Sequence, residues 1–278
     1  MQVAVTRSHA LREIWTLSFL RSLLSEYVGT TVFVFASLAS TLLWPLPPDL
    51  SGGAPMDPHH PLLPVPAGSP DPIHVSLTFG ISVALMSACL GTAGAVHLNP
   101  AVTLSLLAGV RMSLASALLY MIAQVLGAIT ASGGFLSTVL KHSHLSLLSV
   151  SLHFFVPQVT PGVSEFQAVC VEMMVTFQLV LCVFATSDQK AGLSKMAPVI
   201  VGSSVTLGHL VASPSLTRCL LSPQVFWVGP FTGALLATVT YDLLLVPRWN
   251  SIGDWLAKVW VSAGVLPFPT CYINCACM

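Results

Sequence analysis

Apolar runs of about twenty residues recur along the chain, separated by shorter stretches where proline, glycine and charge collect. Six of them read as membrane-spanning helices over roughly 19–43, 75–96, 114–136, 166–187, 196–212 and 225–246, since about 20 apolar residues in a helix cross about 30 Å of hydrocarbon. The first run continues past the length of a secretory leader and carries Glu26, which predicts a retained span. Between the second and third spans lies His97-Leu98-Asn99-Pro100-Ala101-Val102-Thr103, polar and broken by proline. Such a segment predicts backbone that dips into the membrane to line a pore, because non-helical backbone is tolerated at that depth only where protein or water satisfies it. The stretch 44–74 holds ten prolines and the pair Gly52-Gly53, which predicts a long extended loop without helix.

The chain also repeats itself. Glu26-Tyr-Val-Gly-Thr30 aligns with Glu172-Met-Met-Val-Thr176 at an offset of 146, Gly80-Ile-Ser-Val-Ala-Leu85 with Gly202-Ser-Ser-Val-Thr-Leu207 at 122, and Gly127-Ala-Ile-Thr-Ala131 with Gly233-Ala-Leu-Leu-Ala237 at 106. Three spans per half make the halves enter from opposite sides, an inverted repeat with its site at the midplane. The first fall in offset reflects the proline-rich loop facing the short connection 188–195. The second fall, of 16 residues, lies in the pore-forming part: 32 residues separate Ser87 from Tyr120, and 16 separate their counterparts His209 and Phe226. A half-helix to the midplane needs about ten residues and its extended arm about five more. Sixteen residues that must also complete two spans predict a second half-helix that is truncated or absent.

Composition narrows the class. Only 7% of residues are charged against 54% hydrophobic, the formal charge is zero, and no basic block or acidic tail appears, so nucleic acid is not a partner. Eight of ten basic residues (Arg7, Arg12, Arg21, Arg111, Lys190, Lys195, Arg248 and Lys258) fall on one side of the six-span topology, leaving Lys141 and Arg218 for the other. That asymmetry predicts a multi-pass protein of the cell membrane with both termini in the cytosol. The resulting organisation is a cytosolic segment 1–18, a channel domain 19–246 with repeats at about 19–136 and 166–246, and a cytosolic tail 247–278. The seven cysteines require no disulfide, and Cys271, Cys275 and Cys277 of the tail read as free thiols without a metal. No nucleophile, base and orienting carboxylate share a plausible pocket, so neither catalysis nor a cofactor is expected.

A half-helix that ends at the midplane directs its partial positive charge and free N–H groups there, so cations and protons meet a barrier while neutral water passes. Asn99 supplies one amide donor for such a path. Glu26 and Glu172 would each cost several kcal/mol unpaired in lipid, and both are expected to bond the backbone of re-entrant segments.

The segments Val75-Ser-Leu-Thr-Phe-Gly-Ile-Ser82, His97 to Thr103, Glu172 to Thr186, Leu207-Gly-His-Leu210 and Val225-Phe-Trp-Val-Gly-Pro-Phe-Thr-Gly-Ala234 closely resemble the major intrinsic proteins, the water-selective aquaporins most of all. The resemblance covers about 19–260. It implies an all-α membrane fold: a bundle of six tilted helices in inverted repeats, re-entrant half-helices, and usually a homotetramer or an assembly with related channels. It also implies Asn99, Pro100 and Ala101 as pore lining, Phe79 as the aromatic wall of the selectivity filter, and His209 as the histidine that marks water-selective members. The function implied is passive transport of water across a lipid bilayer. The departure is the second motif: where the family has Asn-Pro-Ala-Arg, this chain has Ala212-Ser-Pro-Ser-Leu-Thr-Arg218, and only Arg218 is available to match. That loss sets against the water channel the alternatives of a non-conducting relative or a pore that leaks ions or solutes.

Overall fold

The computed structural model describes residues 16–41, 71–94, 96–142, 164–188, 192–216 and 223–262. They form eight helices: α1 Leu17–Ser40, α2 Pro72–Leu90, the short α3 Pro100–Ala108, α4 Leu114–His142, α5 Glu165–Ser187, α6 Ala197–Leu216, α7 Pro223–Val239 and α8 Ile252–Ser262. Six of them are long and apolar enough to cross a membrane, so all six predicted spans are present with ends displaced by a few residues. α1 begins and α7 ends on one face, termed the terminal face; the opposite one is the far face.

Local chemistry explains where the helices start. Thr16 Oγ1 accepts from the Phe19 N–H at 3.2 Å, and Asp71 Oδ1 accepts from Ile73 at 3.0 Å ahead of Pro72 at the first helical position. Ser164 and Gln167 form a reciprocal capping box. Proline suits a first turn because its missing N–H would have no partner there. The proline-rich stretch therefore ends in helix at 72–74, where a loop was expected, while 42–70 lies outside the described residues. Inside the spans, hydroxyls such as those of Ser22, Ser25 and Ser76 donate to carbonyls four residues back, which satisfies them without water. Large side chains such as Leu24, Ile122, Val199 and Trp227 stay exposed on the outer surface, as a lipid-facing belt requires.

The inverted repeat is visible in the packing. α1 packs on α2 and α4 as α5 packs on α6 and α7, and α2 crosses α6 between the repeats. Glycine sets these crossings. A Cβ at Gly127 would lie 2.6 Å from the Tyr27 carbonyl oxygen, and one at the repeat-related Gly233 would lie 2.2 Å from that of Met173. At the α2–α6 crossing, a Cβ on Gly80 would lie 2.4 Å from the Gly202 oxygen, and one on Gly202 would lie 2.5 Å from the Gly80 oxygen. Small residues let backbones approach where lipid offers no hydrophobic drive for association.

The repeats differ at their pore segments. α3 is a nine-residue half-helix packed against α7, α4 and α5. In the second repeat α6 continues without a break to Leu216, and no short helix intervenes before α7 among the described residues. Residues 217–222, with Arg218, lie outside them. Near its end α7 passes into a π-helical turn, Thr240–Leu245, which buries the consecutive side chains of Tyr241 and Asp242.

Candidate functional site

The re-entrant segment is built around Glu26. Its carboxylate is fully buried and accepts from the His97 N–H, from the Leu98 N–H at 2.9 Å and from Gln124 Nε2 at 2.8 Å. Leu98 is held at φ 55, in the left-handed region that costs an L residue about 1–2 kcal/mol. The Glu26 clamp holds that turn where it is needed, at the entry to α3. Gln124 also donates to Thr103 Oγ1 at 3.0 Å, so a single amide couples α1, α3 and α4.

The turn presents Asn99 as the N-cap of α3. Its Oδ1 accepts from the Ala101 N–H at 2.8 Å, and its extended backbone (φ −150, ψ 124) leads into Pro100 at the first helical position. With Oδ1 engaged, the side-chain NH2 is left to donate, and Asn99 lines the central cavity. Ala101 is buried beneath it, in a core with Val180, Phe184, Ala234 and Tyr241.

That cavity has a volume of about 1250 Å³ and runs between the two faces, from Thr41, Val75 and Phe226 at the far end to Arg111, Ser187 and Lys195 at the terminal end. Phe79 and His209 meet on its wall with ring centroids 4.0 Å apart, and Phe33 meets Phe79 edge-on at 5.9 Å. His209 Nδ1 donates to the Val205 carbonyl at 3.0 Å, which leaves Nε2 as an acceptor. The structure thus brings Asn99, Phe79 and His209 to one cavity from three elements, with Pro100 and Ala101 immediately behind.

Glu172 is placed differently from its mate. It lines the cavity and is half-buried, with Gly229 packed against its Cβ, but it has no hydrogen-bond or ion-pair partner among the described residues. The backbone that Glu26 holds in the first repeat has no described equivalent beside Glu172.

The other end of α3 is tied by residues that hydropathy alone does not mark. Arg111 grips Asp242 bidentately, both contacts at 2.7 Å, and lies 4.0 Å over the Phe184 ring. Arg248 donates to the Gly109 carbonyl at 3.2 Å, and Trp255 Nε1 donates to the Ala108 carbonyl at 2.8 Å. These donors and cations meet the negative end of the half-helix dipole. The signals are Asp242 and Gln124, polar side chains inside otherwise apolar spans, while the stretch assigned to a cytosolic tail carries the α8 tryptophan. Trp255→Phe is expected to lose that one hydrogen bond, about 1 kcal/mol, lowering the unfolding midpoint by a few degrees. An unchanged midpoint would remove Trp255 from the latch.

Residues 13–241 match the family described as Major intrinsic protein. The chain is 37% identical over 263 residues to aquaporin-1 of Rattus norvegicus, covering 89% of this chain and 90% of the relative. It is 34% identical over 265 residues to aquaporin-5 of Sus scrofa, covering 89% of each. In fold it is similar to an aquaglyceroporin from Plasmodium falciparum known by X-ray structure, with a TM-score of 0.59 over 82% of this chain and 98% of that one, at 19% identity.

Proposed function

The chain belongs to the major intrinsic protein family, and from that premise we propose that it is a channel for passive transport of water across a lipid bilayer. One observation carries the reading: Phe79 and His209 meet on the wall of a cavity that also holds Asn99 and runs between the two faces. Water entering it exchanges hydrogen bonds with solvent for the His209 Nε2 acceptor, the Asn99 NH2 donors and the α3 amino terminus. The aromatic wall offers nothing to a larger polar solute that must shed more of its hydration.

Family members are typically tetramers, and the proposal extends to a homotetramer, or an assembly with related channels, formed through outer apolar faces such as that of α4 with Leu118, Ile122 and Ile129. It extends also to the cell membrane, with the terminal face in the cytosol, on the weight of the basic residues there.

Vesicles containing the purified chain are expected to shrink under an osmotic gradient several-fold faster than empty ones. Shrinkage at the empty-vesicle rate despite confirmed incorporation would overturn the proposal. His209→Gly should widen the wall and raise glycerol flux relative to water by about tenfold, the order expected when a contact worth about 1–2 kcal/mol in selectivity is removed. Stopped-flow measurement of both solutes on one preparation checks it, and an unchanged ratio would place His209 outside the filter.

A further inference from the structure

We propose that Glu172 anchors a binding site for an organic ammonium ion inside the cavity. Glu26 and Glu172 hold matching places in the two repeats, yet the first has three donors on its carboxylate and the second has none among the described residues. A carboxylate at this depth is stabilised by a cation that reaches it through the cavity. Among the described residues, the two cations that line the cavity do not supply that charge. Arg111 is committed to Asp242, and Lys195 lies past the terminal-face end of α5, about 22 Å along the helix axis from Glu172 at the helical rise per residue.

The walls decide which cation fits. A hard metal ion takes six or more oxygen ligands, and among the described residues no three His, Cys, Asp or Glu side chains converge to hold one. The same face of α5 carries Val175, the Thr176 hydroxyl and Leu179 into the cavity, and Phe226 enters it from α7 about one turn before Gly229, which packs on Glu172. One carboxylate, one hydroxyl and an apolar enclosure match a cation with a single charged head and an apolar body. The carboxylate pairs with the ammonium, the hydroxyl oxygen accepts a hydrogen bond from one of its N–H groups, and the aliphatic walls and aromatic ring cover the rest. The cavity, about 1250 Å³, holds such a molecule without displacing the half-helix.

The test is isothermal titration of the purified full-length chain in detergent with tert-butylammonium and, in parallel, with tert-butanol as its neutral isostere. Saturable binding of the amine, at least tenfold tighter than the alcohol, is expected. Glu172→Gln should remove that preference, and Glu172→Asp should restore part of it. Equal affinity for amine and alcohol on the unmodified chain, a comparison independent of any variant's folding, would overturn the proposal. So would a glutamine variant that binds the amine unchanged, or sodium ion binding more tightly than the amine. The readout is heat of binding, so its failure leaves the reading of the channel as a water path untouched.

Discussion

Replacing Glu26 with alanine is expected to cost the protein its re-entrant segment and, with it, the water permeation proposed above. The carboxylate satisfies two backbone N–H groups and the Gln124 amide in a fully buried site. Leaving a buried donor unmade costs about 1–3 kcal/mol; Gln124 keeps Thr103 as an acceptor, so the two stranded backbone donors remove on the order of 2–6 kcal/mol from a fold whose margin is about 5–15 kcal/mol. Leu98 favours departure of the segment, since relaxing its left-handed turn recovers about 1–2 kcal/mol once the clamp is gone. The midpoint of thermal unfolding in detergent should fall by about 10 °C or more, and vesicle shrinkage should drop to the empty-vesicle rate. Glu26→Gln, which keeps one acceptor oxygen but turns an NH2 toward a donor, should fall between. A Glu26→Ala protein with unchanged midpoint and permeability would show that the segment holds itself.

The second large effect belongs to Gly80. An added Cβ would sit 1.8 Å from Thr206 Oγ1 and 2.4 Å from the Gly202 carbonyl oxygen. Rotating Thr206 relieves only the first of these, and the second is backbone, so α2 and α6 must part. Overpacking of this kind costs about 1–3 kcal/mol and sometimes more; Gly80→Val is expected at or above that upper end, because this crossing joins the two repeats. Gly133→Ala provides the comparison, since a Cβ added there would meet nothing within 4 Å. Unfolding midpoints of the two variants side by side decide it: equal midpoints would mean the α2–α6 contact is not a structural joint.

The six spans were legible because each is a long apolar run, and length alone separates a membrane span from other helices. The repeat was legible because close helix crossings demand small residues: Gly127 and Gly233 stand at equivalent crossings, and Gly80 and Gly202 at the crossing between repeats. Asn99-Pro100 announced α3 since capping and proline at a first turn are local signals. The α3 C-terminal latch was not legible. Arg111, Asp242, Arg248 and Trp255 lie far apart in sequence, and their meeting depends on how α7 ends in a π-helical turn that no periodicity forecasts. Glu172 looked like a copy of Glu26, and the sequence match was sound. Its surroundings differ because the segment that Glu26's mate would hold is the one shortened by 16 residues.

The nine-residue length of α3 also bears on the order of assembly. Isolated helices shorter than about 12–15 residues are marginal even in favourable sequences, so α3 has no stable existence before its docking partners are in place. One end waits for Glu26 on α1 and Gln124 on α4, the other for Asp242 beyond α7 and Trp255 on α8. The pore wall therefore closes last, after all six spans have been inserted and α8 has been made.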